Sequence, residues 1–421
     1  MKNKIILFCD TAVYWSLILI PFSVAIAPFF SSFFVSFLFA NFFLKKVLKK
    51  EKFIVRTAID LPFLVFVSIS IFSIFNSIDL RASIKGVFKL VEYGLTFLIF
   101  VEELRDIKQI KRIVLSIIFG ACIASFDAIW QMGMGWDFIR GNHIDINGTI
   151  GLKRATAAFP NPNVLGVYLS SVVAFSFGML RYDLGFLPKF GQNKQVKFNL
   201  LRLCMIFVLF SGLFFTFARP AALALMISIL IYGIVKKDKV VLIFILAAIF
   251  IFPILAPKSI KKWAKEVKYQ PAILMCNADR MNIYRNSINM IRHNPVIGVG
   301  LNTFSKNYHL YKLPEQAGAE TSDTIYAHNN FFQMAGEIGL LGLFAFLWML
   351  FCLFKEDFFV YRAMKNKSLK LVLLCLIVSL FAFLINGMTE TSLYYSRVSI
   401  IFWYLLGFSL ALKKFINANE T

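Results

Sequence analysis

The segment TSDTIYAHNNFFQMAGEIGLLG, residues 321–342, places a single histidine between a polar stretch and a long apolar run. His328 is followed by Asn329 and Asn330, and asparagine is a common residue at the start of a helix. The positive potential of a helix N-terminus disfavours the imidazolium form, so we expect a neutral imidazole. A neutral imidazole can remove a proton from a hydroxyl group, which makes His328 a candidate general base. The alternative is a histidine that only caps its helix or binds a loop carbonyl.

Two other predicted helices begin with polar motifs. FPNPN contains Asn161 and Asn163, and an arginine–proline pair begins at Arg219, where proline suits the first helical turn. A helix N-terminus carries unpaired N–H groups and about half a positive charge, so it attracts anions. Arg154 and Arg280 precede the same kind of helix starts in the predicted topology. Together these motifs would suit a diphosphate or polyphosphate ligand.

Each charged candidate also has an ordinary structural explanation. Arg219 would contact headgroup phosphates if it only lay at a membrane interface. Arg280 and Arg285 would be solvated surface residues of one loop helix. Glu390, within GMTETSLYYSR, would be a solvated loop acid, although its predicted position is on the same membrane face as His328.

Glu337 lies nine residues after His328, which is roughly 13 Å along a helix. A carboxylate at that depth is costly unless it is paired or faces a wet cavity. We therefore predict a structural role for Glu337, with a basic residue of a neighbouring helix as its partner.

The elements that must position these residues are membrane helices. The chain has 421 residues, of which 59% are hydrophobic, and many windows reach the length needed to cross a bilayer. The net charge of +22 comes mostly from short loops between apolar runs, which indicates membrane topology and excludes a nucleic-acid-binding face. The six cysteines form no disulfide framework, and the four histidines share no ligand spacing. We predict no metal and no cofactor.

Apolar windows predict an all-α polytopic membrane protein with about twelve transmembrane helices. If the N-terminus is cytoplasmic, the inside segments hold roughly 27 of the 45 Lys and Arg residues, which fixes both termini inside. Even-numbered helices then begin on the outer face, where the polar motifs gather. The predicted spans are 11–29, 31–44, 61–77, 86–102, 112–132, 163–180, 200–217, 220–235, 239–256, 329–354, 370–387 and 397–412.

Two of the segments predicted to lie outside the membrane are longer than the other outside loops, residues 133–162 and 257–328. We divide the chain into helices 1–9 (residues 1–256), a helical loop subdomain between helices 9 and 10 (residues 257–328), and helices 10–12 with the cytoplasmic C-terminus (residues 329–421). Within the subdomain, KSIKKWAKEVK has the pattern of an interfacial amphipathic helix, and ADRMNIYRNSINMIR that of a second helix.

FPNPN, RPAAL, the arginine that leads into HNPVIGVGLNTF, and HNNFFQMAGEIGLLG together resemble the bacterial O-antigen ligase superfamily, which includes O-antigen ligases, O-antigen polymerases and protein O-oligosaccharyltransferases. The motifs cover roughly residues 150–345. The resemblance is greatest to the O-antigen ligases. It implies a GT-C type glycosyltransferase of the bacterial inner membrane, with its active site on the periplasmic face.

The resemblance also implies a reaction and its partners. Family members move a preassembled glycan from undecaprenyl pyrophosphate to a sugar hydroxyl of lipid A-core in lipopolysaccharide biosynthesis, with inversion and without a metal. Carried onto this sequence, the base is His328, and the pyrophosphate ligands are Arg219 and Arg280. Arg285 competes for the role of Arg280, and Arg154 is a further candidate from the predicted topology. Possible acceptor or supporting residues are Glu390, Asn161, Asn163 and Asn329.

Two alternatives remain at this point. An O-antigen polymerase would use the same donor with another lipid-linked repeat as acceptor, although the large loop between helices 9 and 10 favours the ligase. A transporter or flippase of polyprenyl-linked glycans would also be polytopic and basic. It would carry polar residues near mid-membrane, whereas here the polar motifs lie at the outer helix ends. The glycan, the acceptor sugar and the oligomeric state cannot be deduced from the sequence.

Overall fold

A computed structural model describes most of the chain and shows a helical bundle. The described residues are 1–52, 56–147, 152–181, 195–255, 261–262, 265, 278–314 and 325–418. The predicted interfacial helix KSIKKWAKEVK lies almost entirely outside the described residues.

In this part of the chain, helices form where the apolar windows predict them. The α-helices are α1 Lys2–Ile26, α2 Pro28–Lys49, α3 Asp60–Phe72, α4 Leu80–Glu103, α5 Ile107–Met134, α6 Pro162–Arg181, α7 Gln195–Phe215, α8 Arg219–Lys236, α9 Lys239–Leu255, α10 Ala278–His293, α11 Phe304–Tyr308, α12 Asn330–Ala363, α13 Lys367–Asn386 and α14 Ser396–Ala411. Among the described helices, eight are long and apolar enough to cross a membrane. The prediction of an all-α polytopic membrane protein is confirmed, and the number of spans stays a prediction.

One small element was not predicted. Strands β1 (Asp145–Asn147) and β2 (Leu152–Arg154) pair antiparallel in the loop between α5 and α6, with Asp145 opposite Arg154. Arg397, at the start of α14, fixes the following segment, because its guanidinium donates to the Ala158 carbonyl at 2.7 Å. The loop that leads into α6 is therefore held by backbone pairing and by a buried cation.

The segments predicted to face the cytoplasm meet at one end of the bundle. Lys45 of α2 pairs with Glu103 of α4 and lies 3.3 Å from Asp10 of α1. Arg105 completes the network, 2.9 Å from Asp10 and 3.2 Å from Glu103. Acidic and basic side chains from three helix ends thus form ion pairs with one another here. The candidate site residues lie at the opposite helix ends.

Helix α12 is broken at Gly339, whose φ of 73° and ψ of −179° lie outside the helical region. The chain segment that connects α10 and α11 inserts against this break. The Leu340 N–H donates to the Pro295 carbonyl at 2.8 Å, and the Val299 N–H donates to the Gly336 carbonyl at 3.0 Å. The break therefore joins the loop subdomain to the membrane helix by main-chain hydrogen bonds. These bonds pair N–H and carbonyl groups that would otherwise have no partner, because a membrane interior contains no water.

Glu337 has a structural role, but the predicted basic partner is wrong. Its carboxylate accepts hydrogen bonds from the backbone N–H groups of Asn302 at 2.7 Å and Phe304 at 3.1 Å, and from the Gln333 amide at 2.9 Å. The Tyr394 hydroxyl is a further hydrogen-bond partner. A carboxyl group that accepts several hydrogen bonds can be buried without a cation beside it, and Glu337 is 1% exposed.

We predict that Gly339→Ala destabilises the protein. A Cβ at this position would lie 2.0 Å from the Val296 carbonyl oxygen, and the positive φ alone costs an L-residue about 1–2 kcal/mol. The melting temperature in detergent should therefore fall by several degrees. Gly133→Ala is the matched control, because a Cβ there meets nothing within 4 Å. Equal melting temperatures for the two variants would contradict the role given to the break.

Candidate functional site

His328 stands immediately before the N-cap of α12 in a left-handed backbone conformation, with φ 47°. Such a conformation is uncommon outside glycine and marks a position that its surroundings hold in place. The Tyr284 hydroxyl of α10 donates to the His328 carbonyl at 3.0 Å. The imidazole is 32% exposed, and its Nδ1 lies 3.3 Å from Oε2 of Glu390. The ring is therefore oriented by a carboxylate and remains accessible to a ligand.

Glu390 joins His328 to Arg280. Arg280 forms an ion pair with the second carboxylate oxygen of Glu390 and donates to the Thr389 carbonyl at 2.8 Å. Burial alone would raise the pKa of Glu390, but the Arg280 charge and the hydrogen bond with His328 hold it below its ordinary value. A charged carboxylate thus stands beside the imidazole. We call His328, Glu390 and Arg280 the triad.

The side chains of Asn329 and Asn330 form hydrogen bonds with the loop that contains Glu390. The Asn329 side chain accepts from the Phe331 N–H at 2.8 Å, as an N-cap does, and donates to the Met388 carbonyl at 2.8 Å. The Asn330 side chain donates to the Ser392 hydroxyl at 2.8 Å and accepts from the Leu393 N–H at 3.0 Å. The start of α12 and the 387–393 loop consequently form one hydrogen-bonded unit.

Arg154, the last residue of β2, contacts both the start of α6 and the turn between α7 and α8. Its guanidinium donates to Oδ1 of Asn163 at 2.6 Å and to the Thr216 carbonyl at 2.9 Å. Burial lowers the pKa of Arg154, and the carboxylates of Asp145 and Glu390 oppose that shift. The structure therefore places Arg154 and Asn163 together, within electrostatic range of the triad.

Arg219 is the first residue of α8, directly after the turn that Arg154 contacts. The turn is tight, with Phe217 at φ 45°, and the Ala155 N–H donates to the Phe215 carbonyl at 2.9 Å. Arg219 is partly buried there. The role of Arg219 as a pyrophosphate ligand stays a prediction.

Asn161 caps α6 by accepting from the Val164 N–H at 2.9 Å, and its side chain also bonds the Tyr395 hydroxyl. Burial raises the pKa of Tyr395, and the Glu390 carboxylate adds to the shift. Arg285, by contrast, is exposed on α10. The five-residue separation of Arg280 and Arg285 turns their side chains to different faces of the helix.

Tyr284 and Tyr395 are contacts that sequence reasoning missed. The signal for Tyr284 was its spacing of four residues from Arg280, which puts both on one face of α10. Tyr395 lies five residues after Glu390 in the GMTETSLYYSR segment, but only the folded loop shows that it faces Asn161.

The described part of the chain contains no group of three or more His, Cys, Asp or Glu residues that could hold a metal ion. The contacts instead define a polytopic membrane protein with a carboxylate–histidine–arginine triad at one end of its bundle. Arg154 interacts electrostatically with Glu390, and α12 begins two residues after His328. This combination suits proton removal beside an anionic ligand.

Residues 204–347 match the family model described as O-Antigen ligase. No curated protein matches the chain. The family match includes Arg219, Arg280 and His328, and it confirms the resemblance to the O-antigen ligase superfamily. It also supports a membrane glycosyltransferase-like function of the ligase and polymerase type.

We predict that Glu390→Gln destabilises the protein in a pH-dependent way. Removing the charge leaves Arg280 without its buried anion, which typically costs about 3–5 kcal/mol. Because the folded-state pKa of Glu390 is lowered, its contribution is complete above the ordinary value of 4.5 and is lost as pH falls through the folded-state pKa.

The measurement is the melting temperature of both proteins in detergent as a function of pH. The difference in melting temperature between the wild-type protein and Glu390→Gln should be constant at neutral pH and should decrease only below about pH 4.5. Glu51→Gln, at an exposed ion pair of the opposite bundle end, is the control and should change little. A difference that narrows as pH rises would contradict the assignment.

Proposed function

We propose that this protein is an O-antigen ligase that transfers a preassembled glycan from undecaprenyl pyrophosphate to a sugar hydroxyl of lipid A-core. The observation that carries the proposal is the contact between His328 Nδ1 and Glu390, at a helix start that the family match includes. In this proposal the enzyme is an inverting glycosyltransferase of the bacterial inner membrane. The charge bias of the loops supports cytoplasmic termini and a periplasmic site.

His328 is the base in this mechanism. With Nδ1–H donating to Glu390, the lone pair of Nε2 is left to accept the proton of the acceptor hydroxyl. The imidazolium that forms is stabilised by the Glu390 carboxylate, as a buried acid stabilises the histidine of a catalytic triad. Arg280 fixes Glu390 rather than acting chiefly on phosphate, which refines the role that the family resemblance implies.

The leaving group is bound by other cations. We assign the pyrophosphate to Arg154 and Arg219, which lie at the starts of α6 and α8, where helix N–H groups add positive potential. Arg154 is already desolvated, so its attraction for a phosphate is weakly screened. Neutralising the developing charge on the pyrophosphate lowers the barrier to departure without a metal.

The bonds and protons balance in one displacement. The acceptor oxygen forms a bond to the anomeric carbon, the bond from that carbon to the pyrophosphate oxygen breaks, and the hydroxyl proton moves to His328. The products are the glycosylated acceptor and undecaprenyl pyrophosphate. In-line attack requires the base and the phosphate ligands on opposite sides of the carbon, which gives inversion.

We expect His328→Ala to reduce transfer by about 100-fold to 10,000-fold, because the acceptor hydroxyl loses its base. The measurement is product formation from purified donor and acceptor in detergent, without ATP or an ion gradient. Cells should accumulate the undecaprenyl-linked donor. His293→Ala, an exposed histidine of α10, is the control. Near-normal transfer by a folded His328→Ala protein would overturn the assignment of the base.

Arg219→Lys is not expected to be conservative. An ammonium ion cannot reproduce the two parallel hydrogen bonds of a guanidinium to phosphate. A hydrogen bond to a charged group contributes about 1.5–3 kcal/mol, so we expect its loss to reduce the rate of transfer about tenfold or more. Arg292→Lys, at an exposed position of α10, is the matched control. Similar rates for both variants would remove Arg219 from the proposed pyrophosphate site.

The same assay distinguishes a ligase from a polymerase. Lipid A-core is offered as the sole acceptor in one reaction, and a lipid-linked repeat in another. Transfer only to lipid A-core supports the ligase, and transfer only to the repeat would identify a polymerase. Failure of both, with donor movement across vesicles, would favour a transporter.

A further inference from the structure

A groove between α3, α4, α12 and α14 is not used by the proposed mechanism. Its volume is about 270 Å³, and its walls are mainly apolar. The side chains that line its depth include Phe66, Leu90, Tyr93, Phe346 and Trp403. We call it the α4 groove.

The α4 groove runs from the outer end of the bundle toward the membrane interior. Ser396, the first residue of α14, and Trp403, two turns further on, both line it, a separation of roughly 10 Å along the helix. An apolar slot of this length at a membrane-facing helix end suits part of an acyl chain.

Three cations follow the outer half of α4. Arg81, Lys85 and Lys89 recur every four residues and so share one helix face. Lys85 and Lys89 line the α4 groove, while Arg81 continues their row toward the outer end. Lys89 lies 2.8 Å from Glu92, and Arg81 and Lys85 are exposed. In the topology proposed above, these cations stand on the side that the charge bias leaves poor in Lys and Arg.

We propose that the α4 groove binds the lipid part of the acceptor, with an acyl chain in the slot and a phosphate group on Arg81 and Lys85, the two exposed cations of the row. Charge complementarity carries this choice of occupant, because a row of cations above an apolar slot matches an anionic phosphorylated lipid. The inference rests on the proposed ligase function, since it assigns a position to that reaction's acceptor.

The α4 groove is close to the triad along the chain but separate from the proposed pyrophosphate site. Tyr394 lines the groove four residues after Glu390, and Met334 lines it six residues after His328. Arg154, in contrast, contacts Asn163 of α6 and the α7–α8 turn. Donor and acceptor would thus approach His328 through different helices, as an in-line displacement requires.

The test is lipid binding to the full-length protein in detergent micelles, measured by native mass spectrometry. The probes are bisphosphorylated lipid A, the same lipid without phosphate, undecaprenyl phosphate and phosphatidylglycerol. Arg81→Ala with Lys85→Ala should weaken binding of bisphosphorylated lipid A about fivefold for each cation removed. Binding of undecaprenyl phosphate and of the dephosphorylated lipid should not change.

The control removes two exposed cations that do not line the groove, by Lys153→Ala with Arg292→Ala. A second variant, Ser396→Trp, fills the outer end of the groove without a change of charge and should weaken binding of both forms of lipid A. Melting temperatures confirm that each variant is folded. In the transfer assay, the cation variant should raise the acceptor KM and leave kcat unchanged.

Three results would overturn the proposal. Equal losses from the groove and control variants would indicate general surface attraction, and a loss restricted to undecaprenyl phosphate would place the donor lipid in the groove. Equal weakening for phosphatidylglycerol would indicate a bulk-lipid contact. If wild-type protein binds lipid A through these cations but transfers no glycan, the proposed function fails while the binding site stands.

Discussion

The arrangement of the bundle end that carries the triad depends on the hydrogen bonds that the Glu337 carboxyl group accepts. Glu337 sits just before the break in α12, and its two oxygens collect amide donors from the segment that leads from α10 to α11. That segment in turn pairs with the broken helix through main-chain hydrogen bonds. Because α10 carries Arg280 and Tyr284, this buried carboxyl group couples the loop subdomain to the helix that begins after His328. A membrane interior offers no water to replace such contacts.

The two ends of the bundle use charge differently. At the end of Lys45, Glu103 and Arg105, acids and bases from neighbouring helices satisfy one another. At the other end, the triad uses one carboxylate between a cation and a partly exposed imidazole. The first arrangement holds helix ends together, and the second keeps a titratable group available to a ligand. The positive potential of a helix N-terminus acts directly beside the triad, because α12 begins two residues after His328.

Much of the fold could be predicted because membrane helices follow from hydropathy, and each predicted span overlaps a helix in the described part of the chain. The position of His328 before a capped helix could also be predicted, since Asn329 is a strong N-cap residue. The pairing of Glu390 with Arg280 could not, because 110 residues separate them and only tertiary packing joins the two loops. The prediction of a basic partner for Glu337 is wrong for a related reason. The sequence shows a carboxylate at depth, but it does not show that a loop inserts its amides beside a broken helix.

The asparagines after His328 have a mechanical consequence. Since Asn329 and Asn330 tie the start of α12 to the 387–393 loop, His328 and Glu390 belong to one rigid unit. Arg154 belongs to a neighbouring unit, formed by the start of α6 and the turn between α7 and α8. The Asn161 side chain links this unit to the first one, because it bonds the Tyr395 hydroxyl. Contacts therefore run from the imidazole–carboxylate pair through the loop that carries Glu390 to the start of α6. In the proposed mechanism, the orientation of the base would thus be set by a hydrogen-bonded unit that borders the proposed pyrophosphate site.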